Sequence, residues 1–98
     1  MVRVIYRWRV SAENFEAFQN KWSETTNRIH DTVDGALGSF MLRSIENEDE
    51  VLTVAKWTSV ESWKSFWGKA NPQQMAAMRQ LGVRVSAEAF EEVEDHTR

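Results

Sequence analysis

The hydrophobic period of this chain switches between two residues and about 3.6 along its length. That alternation limits the possible folds more than any other feature. Val2, Val4, Tyr6, Trp8 and Val10 fall on one face of a strand, with Arg3, Ile5, Arg7 and Arg9 on the other. Phe15, Phe18, Trp22, Thr25 and Ile29 then recur at spacings of three and four, the apolar stripe of a helix. Its opposite face carries Glu16, Lys21, Glu24 and Arg28, and Glu24 precedes Arg28 in the favourable i, i+4 order. Ser11 has the position and chemistry of the N-cap, Glu13 lies in the first turn, and Asp34, Gly35 and Gly38 carry the chain out of the helix.

Strand character returns from Ser39 to Glu46 and from Val51 to Trp57, joined by the polar run Asn47-Glu48-Asp49-Glu50. Ser59 caps a short helix bearing Val60, Trp63, Phe66 and Trp67, and Gly68 is expected to stop it. Asn71-Pro72 restarts a helix with Met75, Met78 and Leu81 on its apolar side, closed by Gly82. Val83 and Val85 open a last strand, although residues 86–94 are rich in helix formers. Two considerations favour strand there. Three strands alone would leave an unpaired edge beside the first. Glu88, Glu91, Glu92 and Glu94 could also meet Arg3, Arg7 and Arg9 across a strand pair, at roughly 0.2–1 kcal/mol each. The expectation is one α+β domain over residues 1–98, ferredoxin-like βαββαβ with a four-stranded antiparallel sheet.

So short a chain buries only about 60–65% of the surface its unfolded form exposes. With no cysteine, neither a disulfide nor a thiolate metal site can supplement the core. A net charge of −3 gives no support to nucleic-acid binding, and no apolar run approaches a membrane span. Because arginines interrupt the first apolar residues, no signal peptide is read and a cytoplasmic location is expected. Two helices cover one sheet face, yet apolar residues occupy both parities of the strands: Val51, Ala55 and Trp57 against Leu52 and Val54, Phe40 and Leu42 against Met41 and Ile45. A homodimer burying the second face, with Leu52 and Val54 at its interface, is the economical solution.

Five Trp are many for this length, and several bulky rings rarely tile a small core without a gap. Tyr6, Trp8, Trp22, Trp57, Trp63, Phe66 and Trp67 are therefore candidates both for core packing and for the walls of a pocket. Met75 and Met78 serve equally as fillers or walls. His30 reads as a solvated side chain near a helix C-terminus, because as a general base it would need a partner within hydrogen-bond reach that a sequence does not show, and His96 reads as part of a tail. Two His without Cys leave no transition-metal spacing, and the acidic run after Glu46 lacks the glycine of an EF-hand loop. No Ser-His-Asp set or phosphate loop appears.

The stretch Val54-Ala55-Lys56-Trp57-Thr58-Ser59-Val60-Glu61-Ser62-Trp63, a strand ending in Trp and turning at once into a capped helix, resembles the antibiotic biosynthesis monooxygenase family. So does Gly35-Ala36-Leu37-Gly38-Ser39-Phe40 leading into the second strand. The resemblance implies a dimeric α+β barrel with a pocket between sheet and helices. In some members it also implies oxidation of aromatic polyketides by dioxygen without metal or flavin. The quinone-forming branch carries an Asn four residues before the strand-ending Trp and a Tyr six residues after it. Here Thr53 and Trp63 stand at those places. Thr53 keeps a donor for a substrate oxygen. The haem-degrading branch needs an Asn, a Trp and an iron-ligating His where this chain has Arg7 or Trp8, Phe66 and Ala76-Ala77, so that activity is not expected. The resemblance thus implies a monooxygenase, with no cofactor, acting on a small aromatic or apolar molecule. A module that binds such a ligand unchanged, or a stress-related dimer with a filled core, are the alternatives.

Overall fold

The strand expected at the N-terminus forms over Val2–Arg9 (β1) and takes an interior place in the sheet of this computed structural model. Residues 1–69 and 76–97 are described; Asn71, Pro72 and Met75, read above as a helix start and a pocket wall, lie outside them. After β1 come a 3-10 turn (Ala12–Asn14), α1 (Phe15–Thr32), β2 (Ala36–Arg43), β3 (Glu50–Trp57), α2 (Val60–Lys69), α3 (Ala76–Leu81) and β4 (Val83–Glu91). The sheet order is β2-β3-β1-β4 with every neighbouring pair antiparallel, the α+β arrangement expected. Val4, Tyr6, Trp8 and Val10 are all buried on the helix side. Phe18 of α1 is fully buried there and meets Trp8 edge-on at 5.0 Å. Burying a side chain of that kind contributes about 1.5–3 kcal/mol.

β4 is a strand through Glu91 despite its helix-forming composition, because pairing along the whole length of β1 outweighs intrinsic propensity. Arg3 meets Glu92 at 2.8 Å and Arg7 meets Glu88 at 3.3 Å, as the charge argument required. Glu91 instead pairs in register with Val2 on the other face, and Glu94 lies beside His96. The β1–β4 register slips between Arg7 and Trp8, leaving Val85 without a partner. This bulge turns Arg84 toward the helices, where its guanidinium lies 4.6 Å over the Trp67 ring.

Several expectations need correction. β2 begins at Ala36 and ends at Arg43, three residues earlier at each end than the composition suggested. Gly35 takes φ +89° and accepts the Thr58 N–H at 2.9 Å, which brings Ala36 straight into register with Trp57. At the hairpin, Arg43 Nε donates to the Glu48 carbonyl and the Ser44 N–H to that of Glu50, drawing the chain into the turn early. Ser11 makes no side-chain cap; its extended backbone leads into the 3-10 turn, and α1 starts only at Phe15. Ser59 does cap α2, accepting the Ser62 N–H at 3.2 Å. Gly68 lies inside α2 rather than ending it, since packing by Trp63, Phe66 and Trp67 sustains the helix past a residue that costs about 1 kcal/mol. Glu24 pairs with Lys21 rather than Arg28.

The helices cover one sheet face. On the other, Phe40, Val54 and Ile5 form one cross-strand row, and Leu42, Leu52 and Arg7 the next. Leu52 and Val54 lie on this open face, and Trp57 on the helix side, as read from parity. Phe40, Leu42 and Phe90 remain 46%, 49% and 48% exposed there, a larger apolar area than scattered surface residues make.

Candidate functional site

A small cavity separates the end of α1 from the sheet. Tyr6 of β1 and Thr53 of β3 are direct cross-strand partners and form its floor. Trp57, farther along β3, and Phe66 of α2 stand as one wall, their rings 5.4 Å apart. Trp22, Ile29 and His30 of α1 form the other, and Met78 of α3 closes one side. The volume is about 40 Å³, room for a few water molecules and well below the roughly 300 Å³ of a pocket for a ring system.

The floor is chemically specific. Trp8 Nε1 donates to Thr53 Oγ1 at 3.2 Å, and Trp63 Nε1 donates to the Tyr6 hydroxyl at 2.9 Å. Each hydroxyl oxygen therefore accepts from an indole, and each retains its own proton as a donor. Burial pushes the Tyr6 phenol up to about 12; the Trp63 hydrogen bond and the nearby Arg84 charge oppose this only in part. Tyr6 thus stays neutral over the physiological range and remains a donor. Trp67 stacks on its ring at 5.4 Å and holds it in place. At the upper edge, Thr26 Oγ1 and Ser39 Oγ lie 2.8 Å apart and tie α1 to β2.

Six of the residues singled out from the sequence therefore line one cavity: Tyr6, Trp22, Thr53, Trp57, Phe66 and Met78. Three do not. Trp8 is core and holds Thr53; Trp63 and Trp67 pack behind Tyr6. Met75 lies outside the described residues. His30 was misread as solvated: it is half-buried and lines the cavity together with Thr25, Thr26 and Ser39. The spacing held the signal, since Trp22, Thr26 and His30 follow at i, i+4 and i+8 along one helix face. Among the described residues no three His, Cys, Asp or Glu converge as metal ligands, and no helix is long and apolar enough to cross a membrane.

The fold has many known counterparts. A structure of SnoaB from Streptomyces nogalater, described as a cofactor-independent oxygenase, superposes with a TM-score of 0.80 at 16% identity, covering 99% of this chain and 97% of that one. A provisionally assigned antibiotic biosynthesis monooxygenase from Bordetella bronchiseptica gives 0.82 at 17% identity, covering 95% and 97%. A Bacteroides thetaiotaomicron protein of unknown function gives 0.76 at 20%, covering 93% and 96%. At these identities the likeness establishes the fold alone. Comparison with curated proteins gives no significant match. The sequence profile of one family matches residues 1–80, most of the chain. With the strand-to-helix turn at Trp57 and the βαββαβ sheet beneath it, that match identifies the chain as a member of the antibiotic biosynthesis monooxygenase family.

Proposed function

We propose that this protein is a cofactor-independent monooxygenase acting on a small, flat aromatic or apolar metabolite whose ionised form is a stabilised carbanion. The observation that carries the reading is the cavity floor, where the cross-strand partners Tyr6 and Thr53 each bear a hydroxyl. Tyr6 and Thr53 sit side by side on adjacent strands, each oxygen held by an indole and each proton left to donate. Two such donors suit an oxyanion that develops as the substrate loses a proton. The pair also answers the departures from the quinone-forming pattern. Trp63 of α2 stands where a phenol is expected and reaches Tyr6, which supplies a phenol from β1. The aromatic walls exclude water from the reacting centre.

A ring system requires more than 40 Å³, so this reading requires the cavity to widen when substrate binds. The small volume favours one alternative, a module that binds a compact ligand without transforming it. Purified chain treated with a chelator and mixed with anthrone- and quinol-type compounds separates the two. The oxygenase reading expects oxygen uptake and quinone-type spectra above the uncatalysed rate. Saturable Trp quenching with unchanged compound leaves only the binding module.

The same reading includes a homodimer. Phe40, Leu42, Leu52, Val54 and Phe90 on the open sheet face support a two-fold partner stacked against it.

A further inference from the structure

We propose that His30 is the general base of the site, taking the acidic proton of the substrate before dioxygen reacts; this rests on the oxygenase reading above. The geometry argues by elimination. Of the groups lining the cavity, the hydroxyls of Thr25, Thr26, Ser39 and Thr53 are too weakly basic to hold a proton near neutrality. The Tyr6 phenol is already protonated, and the Lys56 side chain leaves β3 on the opposite, open face of the sheet, in register with Arg3. An imidazole is the side chain suited to the task at neutral pH.

His30 is half-buried and stands on α1 one turn beyond Thr26, whose bond to Ser39 fixes that turn against β2. Asp31 and Asp34 lie on its own stretch of chain, Glu61 of α2 shares with Asp34 a groove below the end of α1, and the Lys56 side chain of β3 lies on the open face of the sheet. None forms an ion pair with His30 among the described residues. Asp31, as its direct neighbour, does not face it on the helix. The base therefore acts without an orienting carboxylate.

An imidazole nitrogen takes one hydrogen of an activated methylene as a proton, and the bonding pair stays on the substrate as an enolate stabilised by Tyr6 and Thr53. One electron passes to dioxygen, and the two radicals combine to form a carbon–oxygen bond and a peroxide anion. The imidazolium returns its proton to the peroxide. The O–O bond then breaks, the second methylene hydrogen leaves as a proton, and a carbonyl and one water result. One dioxygen is consumed, and His30 ends as it began.

The test uses His30→Gln and His30→Ala in the full chain with an anthrone-type compound. Anaerobically, the wild type should exchange the acidic hydrogens of the bound compound with solvent deuterium. His30→Gln should lose that exchange by about 100-fold or more while Trp quenching shows retained binding. Under air, oxygen uptake should fall in parallel, its acid limb should vanish from the pH–rate profile, and added imidazole should partly restore His30→Ala. A variant whose exchange and uptake stay within about threefold of wild type, with the limb intact, overturns the proposal. So does a wild type that binds the compound without exchange. A wild type that exchanges hydrogen but takes up no oxygen overturns the oxygenase reading and leaves His30 as the base.

Discussion

Tyr6 is the single tyrosine of the chain, so a phenolate absorbance titration reads its ionisation alone. Its pKa lies at about 12 in the folded state because of burial, against about 10 when unfolded. A raised acid of this kind contributes its stability in full below the unfolded value. Between pH 10 and 12 the unfolded chain releases the proton and the folded chain keeps it, so stability should fall by up to about 2–3 kcal/mol. Tyr6→Phe should lack that decline; a folded-state midpoint near 10 would contradict the burial. Thr53→Val would leave the buried Trp8 indole N–H without its acceptor and should cost about 1–3 kcal/mol in urea unfolding, with Thr53→Ser losing much less. At this scale the sequence was partly legible. Parity placed Thr53 and Trp57 on one face of β3, and the structure adds Tyr6 of β1 beside them. It could not reveal that Trp8 and Trp63 hold the hydroxyls, because a side-chain bond between residues 45 or 57 positions apart depends on strand register and helix docking. His30 was read as solvated because it stands beside Asp31 near the end of α1, and sequence does not show that Trp22, Thr26 and His30 face one cavity.

The elements were legible where a single period held over several residues, as in β1, α1 and β3, and less so where local turns set the borders. β2 was misplaced because Gly35 and the hairpin bonds, not composition, decide where pairing starts and stops. That assigns Gly35 a testable weight. It combines a positive φ with Ser62 and Thr58 side-chain atoms 2.7–2.9 Å from where a Cβ would stand. Gly35→Ala should therefore cost about 1–3 kcal/mol and loosen the β2 edge that borders the cavity. Gly68 has open space around it inside α2, so Gly68→Ala should instead stabilise by about 0.5–1 kcal/mol. Equal effects on the melting temperature would refute the distinction. β4 teaches the complementary lesson: its composition favours helix, and the free edge of β1 with Arg3 and Arg7 makes it a strand.

For the whole molecule, two sets of apolar residues lead to two different predictions. On the open face Val54 is nearly covered by its neighbours even in one chain, 9% exposed, while Phe40 beside it is not. Val54→Glu should dissociate the proposed dimer or unfold the chain, since an ionised carboxylate in a sheet-to-sheet contact costs several kcal/mol. The wild-type melting temperature should rise with protein concentration; a concentration-independent value and a monomer in sedimentation would refute the dimer. On the helix face, the proposed function requires the cavity above Tyr6 and Thr53 to open and seat a flat ligand. The most direct measurement is a Trp fluorescence titration of wild type and a cavity-filling variant, Ala55→Leu, with the same anthrone-type compound. Quenching should be saturable in the wild type and lost in a variant that remains folded. Absence of saturable quenching in the wild type, or identical curves for the two proteins, would contradict the proposed function.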